Sequence, residues 1–174
     1  MDSPILKKPT KLHSLVLASL FIALDIVFTR FFSVMLFGVE RVSLQFLATS
    51  LCAAILGPLW GAAAAILGDL LGMLINSAGL AYYPGFTLTA ALRGLVYGLL
   101  LHRRPLSYPR VLLTEGIVSL GLNLLLNSVW LSLYFGQGYW GVLVIKLPVK
   151  LVIFPALAYL TYACLRALGK SKAL

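Results

Sequence analysis

Polar residues recur at a spacing of four inside otherwise apolar stretches of this 174-residue chain. Arg41, Gln45 and Thr49 form one series, Thr89, Arg93 and Tyr97 a second, and Glu115, Ser119, Asn123 and Asn127 a third. Lys146 pairs with Lys150, Asp25 pairs with Thr29, and Asp69 stands in a fifth apolar stretch. Residues four apart share one face of a helix, so these series predict polar faces turned toward a common interior. Charges inside apolar segments cost about 2.5–3.5 kcal/mol each on insertion scales and mark sites by default. The chemistry such a set performs is binding. Cations outnumber anion partners at that depth, which leaves positive charge for a ligand. A structural role competes at two acids: Asp69 pairing with Arg93, and Asp25 with a cation or backbone amides.

The elements that must position these residues are set by composition. The chain is 61% hydrophobic and 11% charged, with a mean hydropathy of +0.99. Soluble domains carry about 45–50% apolar and about 25% charged residues, so a water-soluble enzyme and a disordered chain are both excluded. Apolar runs near 20 residues cross a bilayer. Six are predicted: 12–32, 43–56, 62–75, 86–101, 111–135 and 142–168. The fold class expected is an all-α integral membrane protein, six transmembrane helices in one compact bundle, with residues 1–174 forming a single domain. Asp25 and Arg30 interrupt the far end of the first run and no small-residue cleavage site follows, so it reads as a helix and not a signal peptide. Gly57-Pro58-Leu59-Trp60-Gly61 is expected as a tight turn between the second and third helices. Pro148 and Pro155 are expected to break the sixth.

Net charge is +9. In a soluble protein that suggests nucleic acid; here the cations flank apolar runs, where they signal topology and contact anionic lipid, so no nucleic-acid partner is expected. With both termini in the cytoplasm, Lys7, Lys8, Lys11, Arg103, Arg104, Arg110, Arg166, Lys170 and Lys172 lie inside, against Arg30, Arg41 and Lys146 outside. Nine against three fixes the orientation. Arg93, Lys150 and Asn127 then lie about eight residues, roughly 12 Å, in from their outer helix ends, and Asp25 and Asp69 about six. This is the depth of a cavity opening outward, with Glu115 alone near the inner end.

Small residues form stripes, Ala64-Gly68-Gly72 and Ala90-Gly94-Gly98, that allow close helix approach. Both are expected to pack inside the bundle, whereas Ser19 and Ala23 on the first helix present a small face to a partner. Cys52 and Cys164 read as small apolar side chains, with no metal or disulfide spacing. His13 and His102 fall at the inner edge and read as interfacial. There is no GxxxxGK[ST], HExxH or GxSxG, so no enzyme, metal or cofactor is expected. A channel is disfavoured, since its filter would need several copies of so short a chain.

The stretch from Tyr83 to Gly98, YPGFTLTAALRGLVYG, resembles the fourth-helix signature of folate-specific S components of energy-coupling-factor (ECF) transporters. Arg41, the Gly57-Pro58-x-x-Gly61 hairpin, Gly68-Asp69-x-x-Gly72 and Leu122-Asn123 through Asn127-x-x-Trp130 are similar too. The resemblance covers essentially the whole chain. Ser19-x-x-x-Ala23 stands where such proteins usually carry Ala-x-x-x-Ala. It implies a subunit that captures folate outside, then docks through Ser19 and Ala23 onto a transmembrane coupling subunit with two cytoplasmic ATPases, in the bacterial cytoplasmic membrane. Arg30, Arg41, Gln45, Asp69, Tyr83, Phe86, Thr89, Arg93, Tyr97, Asn123, Asn127, Trp130 and Lys150 are the ligand-binding residues expected. Asn, Asp and Arg suit the donor–acceptor edge of a pterin, Arg and Lys suit the glutamate carboxylates, and Tyr82, Tyr83, Phe86 and Trp130 near the mouth suit its rings. Other vitamins such as riboflavin or thiamin, a stand-alone secondary transporter, and a purely structural subunit are the alternatives.

Overall fold

The computed structural model describes residues 11–36, 40–75, 82–136 and 138–170. Lys7, Lys8, Lys172 and residues 76–81 of one predicted loop lie outside them. Among the described residues six helices follow in order: α1 (Lys11–Arg30), α2 (Gln45–Leu56), α3 (Pro58–Ile75), α4 (Pro84–Leu101), α5 (Tyr108–Phe135) and α6 (Tyr139–Lys170). Five are long and apolar enough to cross a membrane; α2, with 12 residues, is shorter. Large apolar side chains such as Leu12, Leu20, Leu74 and Val152 stand exposed on the helices, the surface that lipid covers.

The ends of the helices follow from local chemistry. Gly57, at φ +101°, sits alone between α2 and α3. Only glycine adopts that conformation without strain, and Pro58, lacking an N–H, occupies the first position of α3, where none is needed. The turn expected over five residues is therefore one residue long. Tyr83 and Ser107 are extended just before α4 and α5, whose first turns carry Pro84 and Pro109. Gly136, at φ +65°, ends α5 in the left-handed conformation, a common helix stop.

Four further expectations need correcting. Residues 33–36 and 40–43 pair as antiparallel strands, β1 (Ser33–Leu36) against β2 (Glu40–Ser43), with Met35 opposite Arg41. Arg41 thus lies on a strand and does not open α2, so it shares no helical stripe with Gln45 and Thr49. Pro148 and Pro155 do not break α6, which runs through both; each removes one backbone N–H, a loss that transmembrane helices tolerate. Residues Ile117–Leu126 of α5 form a π-helix. Its i→i+5 bonding takes more residues per turn than an α-helix, so Glu115, Ser119, Asn123 and Asn127 do not form one straight stripe. His102 is not simply interfacial: its Nδ1 lies 2.9 Å from the Ala54 carbonyl at the end of α2.

Packing shows how the helices alternate. Gly98 of α4 lies against Pro58, and Gly94 against Gly61; a Cβ on Gly98 would stand 2.2 Å from the Pro58 Cα. The Tyr108 ring, at the start of α5, is edge-on to Tyr162 near the end of α6 at 5.7 Å. Asp25 and Arg30, late in α1, lie against Gly68 and Gly72, late in α3. The helices therefore run alternately up and down. One end, the basic end, collects Lys11, Arg103, Arg104, Arg110 and Arg166. Both glycine stripes pack internally, as their spacing predicts, but on different neighbours: α4's on the α2–α3 corner, α3's on two ionisable side chains of α1.

Candidate functional site

Three groups of side chains form in the half of the bundle away from the basic end. The first is a relay across α1, α2 and α4. Arg93 Nη1 donates to Gln45 Oε1 at 3.2 Å, Gln45 Nε2 donates to Asp25 Oδ2 at 3.0 Å, and Thr49 donates to Asp25 Oδ1 at 2.9 Å. Asp25, 3% exposed, has its carboxylate fitted over Gly68, where a Cβ would meet Oδ2 at 2.6 Å. It serves architecture: the cleft beside it, between α1, α2 and α3, has no room even for a water molecule, far short of the 300 Å³ or so at which ligand pockets begin. Arg93 is different. Its Nε is buried with no hydrogen-bond partner among the described residues, a costly state that a ligand or water relieves.

The second group is aromatic. The Tyr83 ring lies 5.8 Å from Phe86, 6.0 Å from Trp130 and 6.0 Å from Tyr134, all tilted or edge-on. Gly85 makes the approach possible, since a Cβ there would stand 2.5 Å from the Trp130 ring. The Trp130 indole N–H donates to Thr89 Oγ1 at 3.0 Å, and Thr89 donates to the Gly85 carbonyl at 3.0 Å. Thr89 is thus spent on holding Trp130. The third group is Lys146 and Lys150 on one face of α6, 4% and 8% exposed. Asp69 accepts from Thr87 at 2.7 Å, and the Tyr82 hydroxyl lies 3.2 Å from the same Thr87 oxygen, free to donate to it. It is held by Thr87 rather than by Arg93.

Not every predicted site residue arrives here. Tyr97 is fully buried among Ala53, Val111 and Val118, and its hydroxyl donates to Glu115 at 2.9 Å. That takes it out of the binding face expected for Thr89, Arg93 and Tyr97, because its one proton is committed to the inner core. The Arg41 side chain lies outside the described structure. Arg30 stands over Gly72. Asn123 and Asn127 are half-buried, in and just after the π segment, and Asn127 Oδ1 is buried with no partner among the described residues. Ser19 and Ala23 lie exposed on α1, beside Leu15, Val16 and Leu20. Sequence reasoning missed Tyr134, which follows Trp130 at the spacing of four, and Thr87, which lies inside the signature stretch itself. It also missed Thr161, whose partner is on another helix.

Orphaned donors and acceptors, buried cations and a ring of aromatics in the half of a helical bundle away from its basic end define a membrane-embedded binding subunit. The chain belongs to the S-component family of ECF-type transporters: residues 10–163 match the family described as ECF-type riboflavin transporter, S component. It is 33% identical over 152 residues to the folate transporter FolT of Clostridium novyi (strain NT), covering 87% of each chain. It is 37% identical over 99 residues to the folate transporter FolT of Leuconostoc mesenteroides, covering 56% of this chain and 53% of that one. A crystal structure of FolT bound with folic acid superposes with a TM-score of 0.78 at 34% identity, over 86% of this chain and 90% of that one. The family is one of multi-pass transport subunits, not enzymes.

Proposed function

We propose that this chain captures folate from outside the cell and delivers it across the bacterial cytoplasmic membrane as the S component of an ATP-driven ECF transporter. The observation that carries this reading is the likeness to FolT solved with folic acid, over 86% of this chain. The site chemistry agrees with it. Arg93 has an unspent donor, and with Lys150 and Arg30 it suits two carboxylates. Gln45, Asp69, Asn123 and Asn127 suit the donor–acceptor edge of a pterin, and Tyr83, Phe86 and Trp130 suit its rings. In this reading both termini face the cytoplasm and Arg41 lies on the outer side.

The family matched is described for riboflavin transport, which favours a second reading, riboflavin as ligand. Purification decides between them. The protein, extracted without added vitamin and denatured, is expected to release a folate, read by mass spectrometry, and to bind folate more tightly than riboflavin or thiamin. Release of riboflavin, with no folate binding, sinks the proposal.

Transport also needs a coupling subunit and two ATPases, and the docking surface proposed for them is the Ser19–Ala23 face. Both residues are exposed, and close helix approach depends on small side chains. Ala23→Trp is expected to abolish ATP-dependent uptake by the reconstituted transporter while folate affinity of the isolated chain stays as it was. Uptake at the unsubstituted rate would move docking elsewhere.

A further inference from the structure

Gln45 cannot hold Arg93 by itself. A side-chain amide has two unlike ends, one that accepts and one that donates, and a guanidinium only donates. The atom that faces Arg93 is therefore the carbonyl Oε1, 3.2 Å from Nη1. That choice turns Nε2 toward α1, where it needs an acceptor, because a buried amide left without one carries its full desolvation cost. Asp25 Oδ2 is that acceptor, at 3.0 Å. Asp25 is fixed in turn from two further sides. Thr49, one turn along α2 from Gln45, donates to Oδ1 at 2.9 Å, and Gly68 of α3 leaves the space that the carboxylate fills, since a Cβ there would stand 2.6 Å from Oδ2. Asp25 and Thr49 are each 3% exposed, whereas Gln45 and Arg93 are half-buried. The relay thus runs from a closed interior to a guanidinium whose Nε is still without a partner among the described residues.

We propose that Asp25 is a positioning residue of the binding site: it fixes which way the Gln45 amide points, and through that amide it sets the Arg93 guanidinium in place before a ligand arrives. This rests on the folate reading above, in which Arg93 meets the ligand and Asp25 does not. A long arginine chain has much freedom to lose, and a guanidinium already held in place loses it on folding instead of on binding. What Asp25 supplies is an acceptor oxygen at a set point. A carboxylate charge would by itself oppose a ligand carboxylate arriving at Arg93, so acceptor and charge act with opposite signs and are tested apart. In this arrangement α1 serves the site with the face that carries Asp25, while Ser19 and Ala23 stand exposed on the same helix.

The test holds charge constant. Asp25→Asn and Asp25→Leu both remove the carboxylate and are close to it in size, but only asparagine keeps an acceptor for Gln45. The asparagine nitrogen then faces Thr49, whose hydroxyl has the Gln45 backbone carbonyl 3.2 Å away as its other acceptor. The Leu variant is expected to bind folate roughly three- to tenfold more weakly than the Asn variant, the range for one long side chain that must be ordered on binding. With Arg93→Ala added to both, that difference is expected to vanish, because the two sites act as one unit; a general loosening of the bundle would leave it in place. Equal affinity of the Asn and Leu variants overturns the proposal, and so does a difference that persists without Arg93. Should Asp25→Leu fail to accumulate, Asp25→Ser, too short to reach Gln45, takes its place in the same comparison. If the unsubstituted protein binds no folate, the functional reading falls. The same variants titrated with the vitamin it does release then decide the relay separately, and a chain that binds none overturns both.

Discussion

Arg93→Ala is expected to weaken folate binding by about 2–5 kcal/mol, the loss that follows truncation of a desolvated, hydrogen-bonded charge, or about 30- to 5,000-fold in Kd. The size rests on the state of the guanidinium. One of its arms is held by Gln45, and its Nε is buried with no partner among the described residues. An orphaned donor already carries its desolvation cost, so a ligand that accepts from it gains a charge-assisted bond with little further loss. The loss of the arm leaves Gln45 still hydrogen-bonded to Asp25, so the α1–α2 contact survives and the variant is expected to fold. Titration of purified protein with folate, followed by tryptophan fluorescence, measures it. A folded variant with unaltered Kd would assign Arg93 to the bundle instead of the site.

Gly98→Val is expected to cost 3 kcal/mol or more of stability, at or above the upper end of the roughly 1–3 kcal/mol usual for overpacking. The clash is with backbone: a Cβ at this position meets the Pro58 Cα at 2.2 Å and its N at 2.5 Å. One turn earlier, a Cβ on Gly94 would meet the Gly61 carbonyl oxygen at 2.3 Å. Neither neighbour can rotate away, so α3 and α4 would have to part along two turns. Gly116→Ala supplies the control, because a Cβ there meets nothing within 4 Å. Thermal unfolding in detergent, followed by size-exclusion chromatography, is expected to show early loss of the monomer peak for Gly98→Val alone. A Tm within 2 °C of the unsubstituted protein would show that the α3–α4 contact yields more easily than its geometry implies.

What the sequence made legible was whatever periodicity encodes. The apolar runs placed all six helices, and spacing of four placed Thr89 and Arg93 on adjoining turns. The glycine stripes announced close packing, although the partner of Gly68 and Gly72 proved to be a pair of side chains, Asp25 and Arg30, instead of a bare helix face. Legibility failed where the backbone left the α-helical period. The π segment 117–126 rotates Asn123 away from any straight line through Glu115, and the β1–β2 pair removes Arg41 from α2. No composition signal marks either, since both are built from residues that suit an α-helix or an apolar span. Tyr97 failed for another reason. Spacing put it below Arg93, but which polar group its hydroxyl would meet depended on the position of α5, which spacing within α4 does not encode.

The short second helix changes what depth means in this protein. Twelve residues rise about 18 Å, some 12 Å less than the hydrocarbon thickness of a typical bilayer. Gln45 stands in the first turn of α2, and it is the residue that holds Arg93. Counted along α4, Arg93 is well below the membrane surface; counted along α2, it is one residue's reach from the helix end. Every residue of α2 is buried or half-buried, so this short element stands among the other helices and not against lipid. In the folate reading proposed above, the guanidinium is therefore reached from the mouth of the bundle where α2 begins, and a water-soluble vitamin meets it without first dissolving in lipid.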